Sequence, residues 1–176
     1  MSAPEPPSAS GSPFWRFSLR LYRRPAVADA CIALQDEAGV DVNLLMFLLW
    51  QGTLARALSA AEVAELERRI GPWRNATVVP LRALRRALKS PPELVAPATA
   101  ELFRTRIKAA ELEAERLQQE AMYALASSVG RQAPSPEAAA RANVAAYAAM
   151  AGTTFPEPAI DTLLAALRGL ERKPED

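Results

Sequence analysis

The chain reads as all-α, a compact bundle of seven or eight helices. Three observations carry that expectation. Ala and Leu dominate, while Gly numbers only 7 and aromatics make up 6%. Val, Ile and Thr are scattered rather than gathered into runs, which disfavours sheet. Apolar residues recur at steps of three and four along most of the chain, and helix start signals precede them. Half of the 176 residues are apolar, enough for the core of a single helical domain over 13–171. Residues 1–12 (MSAPEPPSASGS) and 172–176 read as tails, the first disordered by composition.

Ser12 is a natural N-cap, with Pro13 at the first helical position. The first helix is expected over about 13–23, with Phe14, Phe17 and Leu21 on one face and Arg16, Arg20, Arg23 and Arg24 on the other. Pro25 opens a second helix, 25–38, whose stripe is Val27, Cys31, Leu34 and Ala38, stopped by Gly39. Asp41 caps a third helix, 42–58. Its run Leu44–Trp50 has no polar face, so this helix belongs at the centre of the bundle.

Ser59 caps a fourth helix, 60–70, with Glu62 in the capping-box position and Val63, Leu66 and Ile70 inward. Gly71 ends it. A fifth helix starts at Pro72 and runs to Lys89, with a kink or a restart at Pro80. Val78, Leu81, Leu84 and Leu88 face inward. Arg82, Arg85, Arg86 and Lys89 share another face. SPPELVAP (90–97) is a linker.

A long sixth helix, 98–128, carries a heptad-like seam of Phe103, Ile107, Ala110, Ala114, Leu117 and Ala121. SSVGRQAPS (127–135) is a loop whose Ser135 caps a seventh helix, 136–151. GTTFPEP (152–158) breaks the chain before a last helix, 158–171, with Ile160, Leu163, Leu164 and Leu167 inward.

The pattern W-x-F-x-L-x-L-Y-x-x-P-x-V-x-x-A-C-x-x-L-Q-D-x-x-G-x-x-V-N-L-L-x-F runs from Trp15 to Phe47. Pro72–Trp73, then P-L-R-A-L-R-R-x-L-K from Pro80 to Lys89, and ELEAERLQQEAM (111–122) follow it. Together they resemble a small family of helical bacterial proteins classed as a domain of unknown function, over about residues 14–125. The resemblance implies no activity and no site residues.

Histidine is absent from the chain. That excludes Ser-His-Asp and Cys-His catalysis, His-ligated zinc and the Glu-x-x-His pairs of di-iron bundles. No Gly-rich phosphate loop occurs. A single cysteine, Cys31, permits no internal disulfide and points to a reducing, cytoplasmic setting; on an apolar stripe it reads as a small buried hydrophobe. No apolar run approaches the ~20 residues a membrane span needs. No cofactor and no metal are expected.

Net charge is +1, but it is segregated: residues 68–89 hold seven cations and no carboxylate. Three readings of that basic island compete. It is a solvated face paired with the chain's own acids, or a surface for an acidic protein partner, or a contact for nucleic-acid phosphates. The near-neutral total and the lack of interleaved aromatics disfavour nucleic acid.

The second polar cluster is Gln35, Asp36, Glu37 and Asp41 at the helix two–three turn. Its carboxylates are candidates for Mg²⁺ or acid–base work. The competing reading is that Asp41 caps and Gln35 and Asp36 fasten the turn. Asn43 and Gln51 flank the apolar helix; they anchor neighbouring backbone or line a pocket with Trp50 and Trp73.

Two functions therefore stand side by side. The leading one is a non-enzymatic interaction or adaptor protein that presents Arg82, Arg85, Arg86 and Lys89 to an acidic partner. The alternative is a small-ligand binder or enzyme using Gln35, Asp36, Asp41, Asn43 and Trp73, and nucleic-acid binding ranks below both.

Overall fold

In the computed structural model, residues 11–171 are described. They form an all-α fold: α1 (Pro13–Tyr22), α2 (Val27–Ala38), α3 (Val42–Thr53), α4 (Ala60–Ala76), α5 (Val78–Ala87), α6 (Pro97–Leu125), α7 (Pro136–Ala151) and α8 (Glu157–Glu171). Two residue pairs, Arg56–Ala57 and Arg131–Gln132, make a minimal antiparallel ladder, β1 and β2. The tails expected over 1–12 and 172–176 lie outside the described residues except for Gly11 and Ser12.

The cap signals act as expected. Ser12, Asp41, Ser59 and Ser135 each accept a backbone N–H of the following turn. Ser59 and Glu62 complete a capping box. Gly39 closes α2 at φ 65°, a left-handed turn that suits glycine.

α3 sits at the centre, and Asn43 through Gly52 are all buried. Each of Leu44, Leu45, Leu48 and Leu49 is fully enclosed, worth about 2 kcal/mol per side chain. α1 closes one side through Phe14, which meets Phe47 edge-on at 5.3 Å and Trp50 at 5.4 Å. α7 closes another so tightly that a Cβ on Gly52 would fall 2.8 Å from the Cα of Ala140. Small residues on both helices make that approach possible. α8 joins the same core through Leu163, Leu164 and Leu167, and Arg24 Nη2 donates to the carbonyl of Gly169 at 2.7 Å.

Four expectations need correction. The second helix starts at Val27, not Pro25, because Ala26 adopts φ 63° and breaks the helical path. α3 stops at Thr53 rather than 58. Ala55 turns the chain at φ 52°, with Leu54 N and Ala55 N closing on the carbonyls of Gln51 and Gly52. Asn143 of α7 holds the segment that follows, its Nδ2 donating to the carbonyls of Leu48 and Arg56, both at 2.9 Å, and its Oδ1 accepting from Leu58 N at 2.7 Å.

The third correction concerns Gly71 and Pro72, which neither end nor begin a helix. α4 runs through them to Ala76, and the break falls at Thr77. Pro80 therefore lies in the first turn of α5, where a missing N–H costs little. Pro72 does sit inside α4. The turn after it is held by long-range bonds: Trp73 Nε1 to the Ala114 carbonyl at 3.0 Å, and Arg74 to Asp41 at 2.9 Å.

The fourth is the α6 seam. Phe103 and Leu117 are 47% and 42% exposed. Of the expected seam Ala114 is buried, and the other inward positions are Ala100, Glu111, Gln118, Gln119 and Met122. α6 turns a polar stripe toward the bundle because polar groups of α3 and α5 wait there to be paired. On α5, likewise, only Val78 is fully buried and Leu84 faces solvent.

Candidate functional site

α1, α2, α3, α5 and α6 enclose a cleft of about 880 Å³, within the 300–1,000 Å³ range of small-molecule sites. It brings together most of both polar clusters. Gln35, Asp36 and Asn43 line it from α2 and α3, and Arg82, Arg85, Arg86 and Lys89 line it from the α5 side. These residues lie 39 or more positions apart in sequence and were read as separate candidates. Asp41 and Trp73 are not among its lining residues.

The floor is buried and mixed: Trp15 and Ser18 of α1, Cys31 of α2, Asn43 and Met46 of α3, and Gln119 of α6. Gln119 Nε2 donates to Asn43 Oδ1 at 2.8 Å and fixes the two amides against each other. Three atoms of floor residues, Trp15 Nε1, Ser18 Oγ and Gln119 Oε1, have no hydrogen-bond partner within the protein. An unpaired buried polar atom is costly and calls for an explanation. All three are shielded from solvent, so an entering molecule meets the walls first.

One wall is an ion-pair network. Arg82 Nε donates to Glu111 Oε1 at 3.0 Å, and its Nη2 to Glu115 Oε1 at 2.6 Å. Arg85 also pairs with Glu111 through its Nε and Nη2. Arg82 Nη1 crosses the cleft to Gln35 Oε1 at 2.6 Å, and Arg86 reaches Asp36 at 3.5 Å. Gln35 and Asp36 thus tie α2 to α5 across the opening, rather than fastening only their own turn.

Burial works to raise the Glu111 carboxyl, but hydrogen bonds from Arg85 and Arg82 outweigh it and hold the group below the usual carboxylate range. For Glu115 burial wins over the Arg82 attraction, and its carboxyl is raised. Burial alone pushes the Cys31 thiol up to about 12. The thiol is therefore protonated at neutral pH and a poor nucleophile.

The mouth is different in character. Arg23, Lys89 and Lys108 line it, are exposed, and have no ion-pair partner among the described residues. Beside them Tyr22, Ile32 and Leu112 also line the cleft and are 44%, 49% and 37% exposed. Counting the whole cleft, six cations face three carboxylates. Among the described residues no grouping of three or more Cys, Asp or Glu side chains suits a metal ion.

Asp41 and Trp73 belong to a second, structural cluster. Asp41 caps α3 through Asn43 N at 2.9 Å, and its other oxygen accepts from Arg74 at 2.9 Å and Gln118 at 2.8 Å. Its own N–H donates to the Tyr147 hydroxyl at 2.9 Å. Arg74 is clamped on its far side by Glu67. Gln51, at the other end of α3, donates to the Ala126 carbonyl at 3.4 Å. Sequence reasoning did not single out Trp15, Ser18, Tyr22, Lys108 or Gln119 as site residues. Each sat in a helix whose inward face could not be matched to a neighbour from periodicity alone.

No helix among the described residues is long and apolar enough to cross a membrane. Residues 13–122 match the family described as Protein of unknown function (DUF2390), and the chain belongs to that family. The comparisons with curated proteins and with solved structures find no match.

Proposed function

We propose that this protein binds a small organic molecule in the cleft between α2 and α5. The observation that carries the reading is convergence: two polar clusters distant in sequence meet on one cavity of about 880 Å³, with apolar side chains and unpaired cations at its mouth. Sites of this kind combine an apolar lining with a few placed polar groups. The family assignment adds support, because every lining residue, from Trp15 to Gln119, falls inside the matched stretch 13–122.

The adaptor reading draws on the same α5 face. Arg82 and Arg85 are already engaged by Glu111 and Glu115, which leaves Arg86 and Lys89 as the outward part of that face. A charged surface of two residues is a weak recognition element, so the cleft is the better-supported site.

The test is a thermal-shift screen with Mg²⁺, phosphates, carboxylates and common metabolites. A ligand at a hundred times its Kd stabilises by about 2.7 kcal/mol, a rise of roughly 5–10 °C for a chain of this length. At least one compound should do so, and Ile32→Ser in the cleft should reduce the shift. No stabilisation across the panel would contradict the proposal.

A further inference from the structure

Resting on that reading, we infer that the ligand is an amphipathic anion: an apolar body against Tyr22, Ile32 and Leu112, with its carboxylate or phosphate at Arg23, Lys89 and Lys108.

Inside the cleft, the wall carboxylates are all spoken for: Glu111 by Arg82 and Arg85, Glu115 by Arg82, Asp36 by Arg86. What remains at the mouth is three cations without a counter-charge. Like charges gathered on one rim raise the local potential and favour an anion. A cationic ligand would meet that potential with every carboxylate of the lining already paired.

Tyr22 and Ile32 leave nearly half their surface in water, although both line a cavity. Tyr22 sits at the end of α1 and Ile32 projects from α2, while Leu112 faces them from α6. Apolar side chains lining a concave surface gain by being covered. The Tyr22 phenol, whose ordinary value is 10, is uncharged at neutral pH and offers an aromatic face. An inorganic anion would satisfy the cations and leave this surface wet. A neutral hydrocarbon would do the reverse. A molecule with both parts satisfies both.

The experiment is isothermal titration of the full chain with four probes: octyl phosphate, octanoate, octanol and inorganic phosphate. Octyl phosphate or octanoate, or both, should bind at least tenfold more tightly than octanol and than inorganic phosphate. The stronger of the two names the headgroup. The charge-reversed pair Lys89→Glu/Lys108→Glu should cost the anionic probe at least tenfold and leave octanol unchanged. Ile32→Ser should weaken octyl phosphate and not inorganic phosphate. Both changes lie on exposed side chains, and an unchanged unfolding midpoint will show that the fold is intact.

Octanol binding as well as octyl phosphate would overturn the anionic assignment, as would indifference of octyl phosphate to the charge-reversed pair. A neutral or cationic hit in the thermal screen, with no response to the anionic probes, would overturn it while leaving the binding role standing. Silence from screen and probes together would remove both.

Discussion

Two neighbouring glutamines on α6 belong to regions of opposite character. Gln118 joins the Asp41 cluster, where Asn43 N, Arg74 and Gln118 itself satisfy both carboxylate oxygens and Tyr147 takes the backbone N–H. Gln119 joins the cleft, where three floor atoms lack partners and three mouth cations lack counter-charges. The first region ties α3, α4, α6 and α7 together around a matched charge, and the one atom it leaves unpaired is Gln118 Oε1. The second holds polar capacity that folding does not use. Stability should therefore concentrate at Asp41, and binding at the cleft.

The largest expected effect is at Asp41. Asp41→Ala removes a helix cap and the acceptor of Arg74 and Gln118, while Arg74 keeps Glu67. Losing the cap and two buried bonds to one carboxylate costs about 3 kcal/mol. Urea unfolding will show it as a lower midpoint. Lys89→Glu, in the cleft mouth, should stay within about 0.5 kcal/mol of the parent. Equal losses at the two positions would erase the distinction.

Next in size is Gly52→Ala. The added methyl meets the α7 backbone at Ala140, and overpacking of that kind costs about 2 kcal/mol. The same unfolding measurement checks it, and ligand binding should be unchanged.

Acid titration gives a smaller effect that sharpens the comparison inside the cleft wall. Glu111 has a lowered carboxyl in the fold, so its contribution is present above the unfolded value. It is lost as pH falls through the folded one. Stability should therefore decline below the ordinary value of 4.5, and Glu111→Gln should remove that part of the acid limb. A parallel decline in both proteins would contradict the assignment.

Among the substitutions outside the cleft Trp73→Phe should cost least, about 1 kcal/mol for one hydrogen bond to the Ala114 carbonyl. It should leave binding untouched, because Trp73 stands outside the cleft.

The sequence showed these two regions unequally. Caps are local chemistry, so Ser12, Asp41, Ser59 with Glu62, Gly39 and Ser135 were readable one by one. The apolar run of α3 likewise announced a central helix. What failed was set by distant partners. Nothing local says that Asn143 will hold the segment after Thr53 in a non-helical path, or that α4 can absorb Pro72 because Trp73 and Arg74 are held from α6 and from Asp41. The α6 seam failed for the same reason. Phe103 and Leu117 are apolar yet face water, while Glu111, Gln118 and Gln119 face inward to meet groups on α3, α5 and the α2–α3 turn. As for the cleft, the named residues Gln35, Asp36, Asn43, Arg82, Arg85, Arg86 and Lys89 were already visible as two clusters. That they face one cavity is a property of how α2 and α5 are brought together, which no spacing along the chain encodes.

The most direct measurement is an ¹⁵N NMR titration of the full chain with octyl phosphate. The account predicts saturable shifts at Tyr22, Ile32, Lys89 and Lys108, with the backbone signals of Arg74 and Tyr147 around Asp41 unmoved. Shifts that are absent, or that centre on the Asp41 cluster and spare the cleft, would contradict it.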